Sequence, residues 1–130
     1  MRFELVDVIH ERSDERIVTS KAVTTAEEYL GDHFPGFPVL PGVMMLEAMV
    51  QAARKLLELG DNPAPGAVAG GWVLAEVRNV RYGNMVRPGQ LLTITVEKLK
   101  SDGDRHSFQG KGMVGDQQAV QGRFTLRPML

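Results

Sequence analysis

The chain has 130 residues, 43% of them apolar, enough for a single domain across 1–130 with a real core and too few for a comfortable second one. A formal net charge of −1 carries no basic footprint for nucleic acid, and the absence of cysteine excludes disulfides, a thiol nucleophile and zinc thiolates. No apolar run approaches the roughly 20 residues of a membrane span, and the charged opening MRFELVDVIHERSDER has no signal-peptide core, so a cytoplasmic location is expected.

In chain order, Phe3 to Val8 reads as a strand, His10 to Glu15 as a polar turn, and Arg16 to Val23 as a second strand around Ile17 and Val18. Thr25 to Leu30 reads as one short helical turn. A loop rich in Pro and Gly follows and ends at Pro41-Gly42. Val43 to Leu59 has strong helix formers and no internal Gly or Pro, which predicts a helix of roughly 25 Å. Gly60-Asp61-Asn62-Pro63 stops it, and Ala64 to Gly71 is a small-residue connector. Trp72 to Tyr82, Leu91 to Leu99, Arg105 to Val114 and Gln118 to Leu126 then read as strands, the last with clear alternation of Val120, Phe124 and Leu126 against Gln121, Arg123 and Thr125. Gly83-Asn84, Pro88-Gly89, Ser101-Asp102-Gly103-Asp104 and Gly115-Asp116 supply the turns.

One long apolar helix set between two early and four late strands predicts an α+β fold, a curved antiparallel sheet wrapped around the helix. A helix that is apolar on most faces needs cover on most faces, and one sheet cannot supply it all. A second subunit is therefore expected.

Two titratable residues stand out. His33 sits in a loop stiffened by prolines, GDHFPGFPVLPG, and Glu47 interrupts the apolar run Val43 to Val50. A carboxyl among apolar side chains is costly unless paired, protonated or useful. Glu47, Gln51, Arg54 and Glu58 also follow helical spacing and could equally form an ordinary solvated stripe. His10 and His106 have no comparable setting and are read as surface residues. The step into the helix at Pro41-Gly42 leaves backbone N–H groups free, and such a terminus can hold an oxyanion. A base, an acid and an oxyanion donor thus fall within one short stretch.

The runs His33-Phe34-Pro35-Gly36, Pro38-Val39-Leu40-Pro41-Gly42-Val43 and Leu46-Glu47-Ala48-Met49 resemble the signature of the (3R)-hydroxyacyl-acyl-carrier-protein dehydratases, which have the hot-dog fold. The resemblance is nearest the FabZ-type branch, with Glu at the helix position where the FabA-type branch has Asp. It extends to Phe3-Glu4-Leu5-Val6-Asp7, Arg16-Ile17-Val18 with Val23-Thr24, and Val80-Arg81-Tyr82 with Val86-Arg87-Pro88-Gly89-Gln90-Leu91. Gly83-Asn84-Met85 and Pro88-Gly89-Gln90 depart from the family pattern, as does the opening of the chain. These departures bear on carrier docking and tunnel shape.

The resemblance implies dehydration of a carrier-bound 3-hydroxyacyl thioester to a trans-2-enoyl thioester, with no cofactor and no metal. It implies that His33 removes the C2 proton, that Glu47, or a water it holds, protonates the departing hydroxyl, and that the Gly42 N–H polarises the thioester carbonyl. The acid role calls for an apolar site around Glu47. Gln51, one turn later, either orients Glu47 or is a plain surface residue. The histidine and acid of one site come from different subunits of a homodimer, and relatives often assemble further into trimers of dimers. Met44, Met45, Met49 and Trp72 are candidates for an acyl tunnel or for core packing. Arg78, Arg81, Arg87 and Lys98 are candidates for docking the acidic acyl carrier protein. The family also implies a cis His33–Phe34 peptide. Two rival readings are a hot-dog hydratase or thioesterase acting on coenzyme A thioesters, and a non-catalytic partner subunit or acyl-binding module.

Overall fold

The computed structural model describes residues 4–24, 40–58 and 71–129. Six strands and one helix are assigned among them: β1 (Val8–Arg12), β2 (Arg16–Ala22), α1 (Gly42–Glu58), β3 (Trp72–Tyr82), β4 (Leu91–Asp102), β5 (Arg105–Val114) and β6 (Gln117–Pro128). The strands form one antiparallel sheet in the order β1-β2-β4-β5-β6-β3. The helix lies against β2 through β6, the hot-dog arrangement expected from the sequence.

Alternation sets which face meets the helix. In the row Arg16–Glu97–Gln109–Arg123–Arg78, consecutive residues are cross-strand partners on β2, β4, β5, β6 and β3. This row is polar and faces outward. Arg123 Nε donates to Gln109 Oε1 at 3.1 Å, and Arg16 stands 3.8 Å from Glu97. The neighbouring row, Ile17–Val96–Gly110–Gly122, points inward. Gly110 is needed there for close approach, since a Cβ at this position would lie 2.5 Å from Met49 Sδ on α1. Phe108 and Phe124, partners on β5 and β6, stack with centroids 5.5 Å apart. Around them Met45, Ala48, Met49, Ala52, Ala53, Leu56 and Leu57 of α1 close the core.

β3 and β5 have the predicted limits, and α1 begins one residue early, at Gly42. β4 runs longer than predicted because its hairpin turn contracts from four residues to Gly103-Asp104, while β6 starts directly after the predicted turn Gly115-Asp116 and continues to Pro128; Gly103 and Gly115 are at positive φ. The first strand is a correction. Phe3 to Val8 was the expected strand and His10 to Glu15 the turn, but the strand is Val8–Arg12 and the turn is 13–15. β1 is an edge strand with all five residues exposed, held by backbone pairing and polar side-chain contacts to β2, so apolar alternation is no guide. A register shift between Ile9 and Glu11 further breaks the alternation. Leu5 enters the core from an irregular segment instead.

His106 is a second correction. It is buried, its Nδ1 is 2.8 Å from Ser101 Oγ, and its ring meets Trp72 edge-on at 5.3 Å. An inward position on β5 decides this, not the polarity of imidazole. His10 is exposed as expected, with Nε2 2.7 Å from Ser20 Oγ. The short helical turn at 25–30, the loop holding His33 and its peptide bond to Phe34, and the connector before Gly71 lie outside the described residues.

Candidate active site

The start of α1 is anchored by the crossing between β3 and β4. Leu40 N–H donates to the Val86 carbonyl at 2.7 Å, and both side chains are buried. The Pro41 carbonyl accepts from Met44 and Met45 and begins the helical ladder. The first N–H groups of a helix, here those of Gly42 and Val43, have no acceptor within it. No acidic side chain stands in the first turn to neutralise the positive end of the helix dipole. This leaves a donor suited to a developing oxyanion.

Tyr82, the last residue of β3, packs against this terminus. A Cβ on Gly42 would lie 3.0 Å from Tyr82 Cε1, so the missing side chain is what admits the ring. Burial pushes the Tyr82 phenol above the ordinary tyrosine value. The sequence placed Tyr82 in the run Val80-Arg81-Tyr82 but gave it no role, because its register at the end of an edge strand is what sets it over Gly42.

Glu47 lies in the second turn of α1. Its Oε1 accepts from Gln51 Nε2 at 3.3 Å and from Arg54 Nη1 at 3.4 Å. Gln51 Oε1 in turn accepts the backbone N–H of Leu5 at 2.8 Å, tying the helix to the segment before β1. The side chains of Glu47 and Arg54 are 38% and 35% exposed, between a solvated stripe and a sealed core. Among the described residues, the polar contacts of Glu47 come from its own helix face. The spacing i, i+4, i+7 already hinted at this, although it did not reveal where Arg54 would reach.

The other candidates separate. Met45, Met49 and Trp72 are buried within one chain, while Met44 is half-buried at the edge of the core. Arg78 and Arg81 lie on β3, Lys98 on β4, and Arg87 in the loop between those two strands. β4 and β3 stand three strand positions apart, roughly 14 Å, so the four cations form no single tight cluster. Arg78 is also paired with Glu76 at 2.6 Å. It lines a groove of about 290 Å³ with Lys100 and Arg123, two cations that were not singled out in the sequence. Arg87 lines a separate hollow of about 440 Å³ with Asn84, Met85 and Gln90. Among the described residues no group of three or more His, Asp or Glu could hold a metal ion, and no helix is long and apolar enough to cross a membrane.

Comparison with known proteins adds to this geometry. The ApeI-like family, described as ApeI dehydratase, matches residues 9–123. A 3-hydroxyacyl-[acyl-carrier-protein] dehydratase FabZ from Rhizorhabdus wittichii is 39% identical over 127 residues, covering 93% of this chain and 76% of the relative. Another FabZ, from Coxiella burnetii, is 38% identical over 120 residues, covering 92% of this chain and 84% of the relative. Among solved structures, the dehydratase heterocomplex ApeI:P from Xenorhabdus doucetiae aligns with a TM-score of 0.70 at 20% identity, over 97% of this chain and 99% of that one. At that identity the likeness is one of fold.

Proposed function

Because this chain belongs to the ApeI-like dehydratase family, we propose that it removes water from (3R)-3-hydroxyacyl thioesters carried on acyl carrier protein, giving trans-2-enoyl thioesters in fatty acid or related acyl-chain synthesis. The observation that carries the reading is the 39% identity to a FabZ dehydratase across 93% of the chain.

In the proposed mechanism His33 takes the C2 proton, which the thioester carbonyl makes removable. The electron pair of the C2–H bond becomes the C2=C3 double bond while the C3–O bond breaks. The hydroxyl departs as water with a proton delivered by Glu47 or by a water that Glu47 holds. The Gly42 N–H takes the charge that develops on the thioester oxygen, a contribution of about 3 kcal/mol to the barrier for one such donor. Gln51 supports the carboxyl of Glu47 through the 3.3 Å contact.

The active unit is a homodimer. Among the described residues β3 pairs on one side, with β6, and its eleven residues include Leu74, Val77 and Tyr82 at 39%, 39% and 52% exposure. An edge of that length and apolarity calls for a partner strand. The family resemblance implies that His33 of one subunit and Glu47 of the other serve one site. The acyl chain follows the subunit boundary, where half-buried Met44 is the best-placed of the methionines. A cytoplasmic location fits carrier-linked acyl chemistry, and Arg81, Arg87 and Lys98 remain the candidates for the carrier's acidic surface.

The test is turnover of 3-hydroxyacyl chains on acyl carrier protein by the purified chain, followed as loss of water by mass spectrometry. Wild-type protein yields the enoyl thioester, and His33→Ala or Glu47→Ala abolishes it. Activity that survives both substitutions overturns the assignment. The heterocomplex neighbour favours one second reading, that the chain acts as one half of a heteromer. Inactivity of the chain alone, restored by a second dehydratase subunit, would select it.

A further inference from the structure

We propose that Arg54 is a positioning residue for the dehydration: with Gln51 it holds Oε1 of Glu47, so that Oε2 is the oxygen presented to the substrate. The inference rests on the reading of Glu47 as the proton donor and extends it to a residue outside the His–Glu signature.

The geometry is specific. Residues 47, 51 and 54 share one face of α1, at four and seven residues of separation. Helical side chains lean toward the N-terminus, so Arg54 reaches back along the face, and its Nη1 ends 3.4 Å from Glu47 Oε1. Gln51 Nε2 meets the same oxygen at 3.3 Å. Both donors converge on Oε1, and among the described residues none is recorded on Oε2. A carboxyl held by one oxygen and open at the other has a defined direction, which a proton transfer at the 3-hydroxyl requires.

A second observation separates this from an ordinary surface pair. Arg54 Nε is buried without a hydrogen-bond partner among the described residues. Burying an unpaired donor costs stability, and ordering a long side chain for a half-exposed ion pair returns little. A side chain kept in this state at such a cost is better explained by what its other end does to Glu47 than by the stability of the helix. Arg54 is also well suited to the task, because its planar fork directs a donor where a lysine offers a mobile point charge.

The experiment uses the full chain and a 3-hydroxyacyl-pantetheine substrate. For Arg54→Met the expected result is a fall in kcat of about tenfold with KM within about twofold of wild type and an unchanged or raised Tm. Arg54→Lys should recover part of the loss, and Arg54→Gln serves as the second neutral variant should the methionine protein not fold. Wild-type kcat in a folded neutral variant overturns the proposal, and so does a loss confined to KM, which would make Arg54 a substrate contact. The two readings fail separately. If Glu47→Gln alone turns over normally, the assignment of Glu47 is wrong; if Glu47→Gln is dead and Arg54→Met is normal, only the role of Arg54 is wrong.

Discussion

Gln51 performs two tasks that substitution can separate. Its carbonyl oxygen accepts the Leu5 N–H at 2.8 Å, and its amide nitrogen donates to Glu47 at 3.3 Å. Leu5 is wholly buried, so no solvent replaces a lost acceptor. Gln51→Leu removes both contacts and strands that N–H, at a cost of about 1–3 kcal/mol. For a chain of 130 residues this corresponds to a Tm lower by roughly 4–11 °C. Gln51→Glu keeps an oxygen for Leu5 but loses the donor to Glu47 and sets two carboxylates one turn apart, a stability penalty of only about 0.2–0.5 kcal/mol. The expected pattern is a large Tm loss for Gln51→Leu, a small one for Gln51→Glu, and reduced kcat in both. Differential scanning calorimetry and steady-state turnover of a hydroxyacyl-pantetheine read the two quantities. Equal Tm losses for the two variants, or a Gln51→Glu enzyme with wild-type kcat, would refute the division of labour.

Three further outcomes follow from the packing. Gly110→Ala places a Cβ 2.5 Å from Met49 Sδ and 3.2 Å from Phe124 Cε1; overpacking of this kind costs about 1–3 kcal/mol, read as a lower urea midpoint with an unchanged m-value. His106→Leu removes the contact with Ser101 Oγ and costs about 1–2 kcal/mol, while turnover per folded molecule stays at wild type, since this histidine serves the core. The Tyr82 phenol is raised by burial, so the folded state keeps that proton more tightly than the unfolded chain does. Its stabilising effect is complete below the ordinary tyrosine value and is lost as pH rises through the folded one. Stability should therefore fall with alkaline pH more steeply in wild type than in Tyr82→Phe, as measured by urea unfolding across that range.

The sequence alone determined the elements with strong local signals. Helix formers without Gly or Pro defined α1 to within one residue at its start. Alternation and turn dipeptides located β3 to β6, and the run from His33 to Glu47 carried the family resemblance. These features are local, and a short window of residues contains each of them. Only the tertiary structure decided what depends on long-range register. It placed β1 by backbone pairing at an exposed edge, where polar side chains leave no pattern to read. It turned His106 inward, because its position on β5 outranks its polarity. It also set Tyr82 over Gly42 and connected Leu5 to Glu47 through Gln51, contacts between residues about 40 or more positions apart. Spacing along one helix showed that Glu47, Gln51 and Arg54 share a face; which atoms meet on it depends on the neighbours that surround that face, and those come from the rest of the fold.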